Sequence, residues 1–155
     1  MVSFNDIFKA VVREFHTIKP TYKNYYGNTS EEFQRPSFLY ELVYNEVTRT
    51  SFFNLKKRLT IQVVVFVPVE NMGVSRLKNE LAVVAELEAF LATGNLAVGT
   101  RHLNFNYNIE NADDEIAIKL EFEYLDNAAT PEFDAQQAWE LMRHITLKQE
   151  VNANG

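Results

Sequence analysis

From Leu103 to Tyr124 the chain alternates apolar and polar residues in two successive runs, and only a strand uses that period. Leu103, Phe105, Tyr107 and Ile109 interleave with Asn104, Asn106 and Asn108. Ile116, Ile118, Leu120, Phe122 and Tyr124 follow, interleaved with Lys119, Glu121 and Glu123. A strand sends successive side chains to opposite faces, so each run buries one face and wets the other. With Asn111-Ala112-Asp113-Asp114 as the link, the pair commits the chain to an antiparallel sheet with a core on one side.

Other segments must cover that core. Ser3 is placed to cap a helix, and Asp6 three residues on suits an acidic capping box. Phe4, Ile7, Phe8, Val11, Phe15 and Ile18 then recur at helical spacing until Pro20. Residues 20–36, with two prolines and Gly27, read as a long loop. The loop closes on Phe33-Gln34-Arg35-Pro36-Ser37-Phe38, where Pro36, with fixed φ and no N–H, marks the start of a strand. That strand is predicted from Ser37 to about Thr48, with Phe38, Tyr40, Leu42 and Tyr44 on one parity.

A second strand, about Lys57 to Val67, puts Leu59, Ile61, Val63, Val65 and Val67 on one face. Val64 and Phe66 lie on the other, so part of it is covered on both sides. Pro68 and Gly73 break the run. A second helix, about Ser75 to Ala92, turns Leu77, Leu81, Val84, Leu87 and Leu91 inward and stops at Gly94. After the alternating pair, Thr130-Pro131 opens a short helix toward Met142. Ile145, Leu147 and Val151 form a last extended piece, an edge strand or a subunit-bridging arm. The expected fold class is α+β: a sheet of about four mainly antiparallel strands with two helices packed on one face. A single domain over residues 1–151 is expected, with 152–155 a disordered tail.

Little here points to a reaction centre. His16, His102 and His144 are far apart and lack a partner four residues on, which suits surface or subunit-contact roles. Asp113, Asp114 and Glu115 lack the further oxygen ligands and the glycine of a calcium loop, and read as a solvated turn. Glu121 and Glu123 share a wetted strand face, as an acid–base pair would, but carboxylates are ordinary there. Neither a phosphate-cradling glycine motif nor a nucleophile elbow is present. Trp139 and Met142 suit packing. No enzyme, cofactor or metal is expected.

The absence of cysteine removes disulfides and thiolate-ligated metals. A net charge of −6 argues against a broad basic surface for nucleic acid. The start, Met1-Val2-Ser3-Phe4-Asn5-Asp6, lacks the pattern of a signal peptide. No apolar run approaches the roughly 20 residues of a membrane span, so no membrane role is expected and the default location is a cytoplasm.

One asymmetry of charge stands out. Residues 49–58 carry Arg49, Lys56, Lys57 and Arg58 and no acid, beside the pair Phe52 and Phe53. Residues 110–126 carry seven acids, among them Asp113, Asp114, Glu115, Glu121 and Glu123, against the single base Lys119. Two accounts stand: solvated hairpin tips of accidental sign, or a head-to-tail contact in which the positive loop of one subunit meets the negative hairpin of the next.

Taken in order, these features resemble the phage tail terminator (tail-completion) proteins over about residues 3–151. The resemblance is carried by the opening helix, the loop into Phe33-Gln34-Arg35-Pro36-Ser37-Phe38, the strands around Arg58 to Pro68, and the central helix. The Asn-rich and Glu-rich hairpin and the closing Leu141-Met142 with Ile145 and Leu147 complete it. It implies a ring-forming subunit, usually six to a ring, that docks on the last layer of a tail tube and halts tube growth. Its implied partners are further copies of itself, the tail tube protein and neck, head-completion or sheath proteins, with DNA only in passage. Its implied place is the tail of a virion or phage-like particle, assembled in the host cytoplasm. On this reading Arg49, Phe52, Phe53, Lys56, Lys57 and Arg58 form a tube or inter-subunit contact. Asp113, Asp114, Glu115, Glu121 and Glu123 form an acidic channel or inter-subunit face. Another ring-forming head–tail connector is the nearest alternative, and a small-molecule-binding α+β domain is the second.

Overall fold

The computed structural model describes residues 1–27, 34–68, 73–112 and 115–127. Helix α1 (Phe4–Ile18) starts at the expected cap: Ser3 Oγ accepts from the Asp6 N–H at 3.1 Å, and the Asp6 carboxylate accepts from the Ser3 N–H at 3.0 Å. This capping box satisfies two donors that the helix itself leaves open. Ile7, Ala10, Val11 and Phe15 form its buried stripe.

The sheet has six strands: β1 (Lys23–Tyr26), β2 (Ser37–Arg49), β3 (Asn54–Phe66), β4 (Asn95–Val98), β5 (Arg101–Ala112) and β6 (Glu115–Asn127). Helix α2 (Gly73–Leu91) lies between β3 and β4 in the chain. The spatial order is β1-β2-β3-β6-β5-β4. Its centre is the expected set of four long antiparallel strands. Two short strands flank them. β1 runs parallel to the first four residues of β2, from Lys23 beside Ser37 to Tyr26 beside Tyr40. β4 pairs antiparallel with the start of β5, from Asn95 beside Asn104 to Val98 beside Arg101.

Strand β1 corrects the reading of residues 20–36 as loop throughout. Four residues are too few to display a period, and β1 is held by its aromatics: Tyr26 stacks on Tyr40 with ring centroids 5.8 Å apart, and Tyr25 packs on Leu39, Val64 and Phe66. Strand β4 hides between two glycines of positive φ, Gly94 (+59°), which ends α2 as expected, and Gly99 (+61°), which turns the chain into β5.

One sheet face carries Phe38, Tyr40, Leu59, Ile61, Val63, Val65 and the even residues Ile116 to Tyr124, all buried beneath α1 and α2. On the other face Leu39, Val64 and Phe66 form a small separate cluster, with the Arg35 guanidinium 5.2 Å above the Phe66 ring. β3 is thus covered on both sides at its C-terminal end, as its sequence indicated.

Two facings differ from expectation. β2 carries an extra residue, Val43, between the pairs Leu42–Ile61 and Tyr44–Thr60. Such a bulge reverses the faces of everything after it, so Tyr44 leaves the face of Phe38 and Tyr40. Leu42 and Tyr44 are both exposed. In α2, Val83, Leu87 and Leu91 are buried and Val84 and Phe90 pack beside them, while Leu77 and Leu81 are 59% and 62% exposed. Apolar residues surround this helix, so periodicity did not select one face. The expected helix toward Met142, the final strand and the tail at 152–155 lie outside the described residues.

Candidate functional site

The basic segment 49–58 is the β2–β3 turn and the first residues of β3. Phe52 and Phe53 sit at its tip, rings edge to face at 4.9 Å, and Phe53 is exposed. Arg49 stiffens the tip by donating from Nη1 to the Phe52 carbonyl at 2.8 Å.

β6 lies next to β3, so the acidic residues Glu123 and Asp126 stand directly beside the bases. Lys56 and Arg58 both point to the helix-free face and meet Glu123, at 2.9 and 3.1 Å. The hydrogen bond from Lys56, with the charges of Arg58 and Lys56, holds the Glu123 carboxyl below the usual glutamate range.

Lys57 points the other way and is buried. Its Nζ donates to Asp126 Oδ2 at 2.9 Å and to the Val2 carbonyl at 3.1 Å. Asp126 Oδ2 also accepts from the Val2 N–H at 2.8 Å, and the Arg101 guanidinium stands 3.5 Å from Oδ1. The Tyr124 hydroxyl donates to the same Val2 carbonyl at 2.8 Å. Burial pushes the Asp126 carboxyl up, but the Lys57 ammonium and the Val2 and Asn127 amides outweigh it and hold it low. Burial pushes the Tyr124 hydroxyl up, so it remains a donor. This knot ties the N-terminal segment to the sheet. The sequence marked Lys57 and Asp126 only as parts of two charged runs; nothing distinguished Asp126 as the partner of Lys57.

Of the residues expected at a contact, the structure therefore groups Arg49, Phe52 and Phe53 at the tip. It sets Lys56 and Arg58 on the outer sheet face with Glu123 and seals Lys57 inside. Glu121 and Glu115 share that outer face by strand parity. Asp113 and Asp114 lie outside the described residues. By parity and contact the described helix-free face holds Glu41, Glu46, Glu110, Glu115, Glu121 and Glu123 together with Lys23, Arg35, Lys56, Arg58 and Lys119, so its charges are mixed and nearly balanced. A shallow hollow in it is lined by Tyr44, Arg58, Thr60, Asn106, Glu121 and Glu123.

His16 faces Asn24 and His102 faces Asn95, through Nδ1 at 3.3 and 3.0 Å. Among the described residues no group of three or more His, Asp or Glu is set to hold a metal ion. No described helix is long and apolar enough to cross a membrane.

Fold and surface together define an α+β subunit that offers faces, edges and a stiff aromatic tip. The family model described as phage tail terminator protein matches residues 6–134. The chain belongs to the phage tail terminator family, and its role is structural: it caps a phage tail tube. No curated protein matches it. Nineteen solved chains do; one of them is 15% identical, over 85% of this chain and all of its own, with a TM-score of 0.42.

Proposed function

We propose that six copies of this chain close into a ring on the last layer of the tail tube, with the helices outward and the helix-free sheet face lining the channel. The observation that carries this reading is the division of the sheet, one side roofed by α1 and α2 and the other free of helices and set with charged side chains of both signs. On that wall the carboxylates, Glu121 and Glu123 among them, repel the DNA backbone and offset the neighbouring bases, which keeps passing DNA from adhering. The tip residues Phe52 and Phe53, braced by Arg49, are the apolar anchors toward the tube or the next subunit. The opposite rim of the ring meets neck or head-completion proteins, and assembly takes place in the host cytoplasm.

The test is electron microscopy of tails produced with the wild-type chain, with none, and with Phe52→Ser/Phe53→Ser. Wild-type tails are expected at uniform length carrying a ring at one end. Tails lacking the protein, or carrying the double variant, are expected to overrun that length. Uniform tails in the absence of the protein would overturn the capping reading.

A further inference from the structure

The sheet has two half-open edges. β1 covers β2 only as far as Tyr40, and β4 covers β5 only as far as Asn104. Among the described residues nothing pairs with the outer side of β2 from Glu41 to Arg49, or of β5 from Phe105 to Ala112, beyond one bond from the Phe105 N–H to the Gly94 carbonyl. We propose that these edges pair with each other between copies, β5 of one subunit against β2 of the next, so that the ring closes as one continuous antiparallel sheet. The proposal rests on the ring reading above and names the junction within it.

Four independent features agree. The first is direction. β2, β3, β6 and β5 alternate strictly, so a rotated copy of β2 set beside β5 continues the alternation. The second is length. The open stretch of β2 has nine residues, but Val43 is bulged out, leaving eight positions to face the eight of β5, of which Phe105 keeps its N–H on Gly94 and offers the neighbour its carbonyl alone. Full overlap puts Arg49 beside Phe105, Val47 beside Tyr107, Asn45 beside Ile109 and, past the bulge, Leu42 beside Asn111.

The third is phase. The Thr50 N–H bonds inward to Asn54, so Arg49, Val47 and Asn45 turn their amides outward; the Tyr40 carbonyl meets Gly27, so Leu42 does the same on the other side of the bulge. On β5 the Phe105 N–H points outward to Gly94, and Tyr107, Ile109 and Asn111 follow at two-residue steps. The overlap that matches lengths therefore also sets outward amides against outward amides, with matching side chains on matching faces. Exposed Val47 meets half-exposed Tyr107, and no like charges stand directly opposite.

The fourth is tilt. Arg49 lies at the level of Leu55, while Phe105 lies at the level of Phe122 and so of Leu59. Joining them staggers neighbouring copies by four residues, about 14 Å, across four strand spacings, about 19 Å, a strand tilt of about 35°. Closed sheets tilt by roughly 35–45°.

The chain has no cysteine, so a cross-link between introduced pairs has no background from its own thiols. Thr48 and Asn106 fall opposite each other as a non-hydrogen-bonded pair, at the Cα separation a disulfide accepts. Full-length Thr48→Cys/Asn106→Cys, oxidised on tail tubes, is expected to give a ladder of covalent oligomers. It should yield at least about tenfold more product than the out-of-register control Thr48→Cys/Asn108→Cys, whose residues do not meet. Rings seen by microscopy with no excess cross-linking would overturn the edge junction and leave the ring. Absence of rings from wild-type tails would overturn the ring reading and the junction with it. Amide exchange at Val47 and Tyr107 should be fast in the monomer and slowed in the ring. Protection already present in the monomer would mean that this chain covers its own edge, and would overturn the junction.

Discussion

Lys57 shows why the sign of a residue does not give its task. It sits in a run of bases, yet it is sealed in a knot with Asp126, Tyr124 and both backbone groups of Val2. Removing one partner leaves the other charge buried alone, so Asp126→Asn should cost about 3–5 kcal/mol in chemical denaturation. The pH dependence has a definite sign. The folded Asp126 carboxyl is held below its unfolded value of 3.8, so its stabilisation is complete above that pH. It is lost as pH falls through the folded value. Wild-type melting temperature should therefore drop on acidification below about pH 4, and the drop should be shallower in Asp126→Asn. In the sequence Asp126 is one acid among seven, and its role follows only from the register that sets Leu55 beside it and Lys57 beside Tyr124.

At the scale of elements, the alternating strands were legible because a period of two has one structural solution. Ile116, Ile118, Leu120, Phe122 and Tyr124 are all buried, as their spacing requires. The capping box of α1 was legible for a similar reason, since Ser3 and Asp6 answer each other locally. The bulge at Val43 was not, because one extra residue leaves both halves of β2 looking like good strand while reversing the second half. α2 was half legible: its existence follows from composition, its facing from packing alone. Its facing can be measured. Leu87→Ala should cost about 2–5 kcal/mol, whereas Leu81→Ala should stay within about 0.5 kcal/mol, by urea denaturation of the full chain. Equal losses would place both residues against the core.

For the whole molecule, the contact residues read from charge divide into those that can be tested and one that cannot. Lys57 is structural, so reversing it would report on folding. Lys56 is half-buried and Arg58 exposed, and their solvent-screened pairs with Glu123 contribute little to the fold. Lys56→Glu/Arg58→Glu should then melt close to wild type and, since both stand on the interior strand β3 near the aromatic tip, fail to cap tubes, scored by tube length in micrographs. Full assembly by that variant would remove these two side chains from the contact. The proposed ring is not legible in periodicity; it is what the resemblance implies, and family membership carries the capping role. The half-covered edges were also invisible in the sequence, because they depend on two four-residue strands that leave no pattern.

The anchoring of Val2 has a practical corollary. Its amide and carbonyl are both held at Lys57 and Asp126, the end of the sheet from which Phe52 and Phe53 project. A compact density marker fused ahead of Met1 would therefore ride on a fixed point rather than on a swinging tether. Seen in projection on a finished tail, it would report the polarity of the cap: whether the aromatic end looks down the tube or up toward the head.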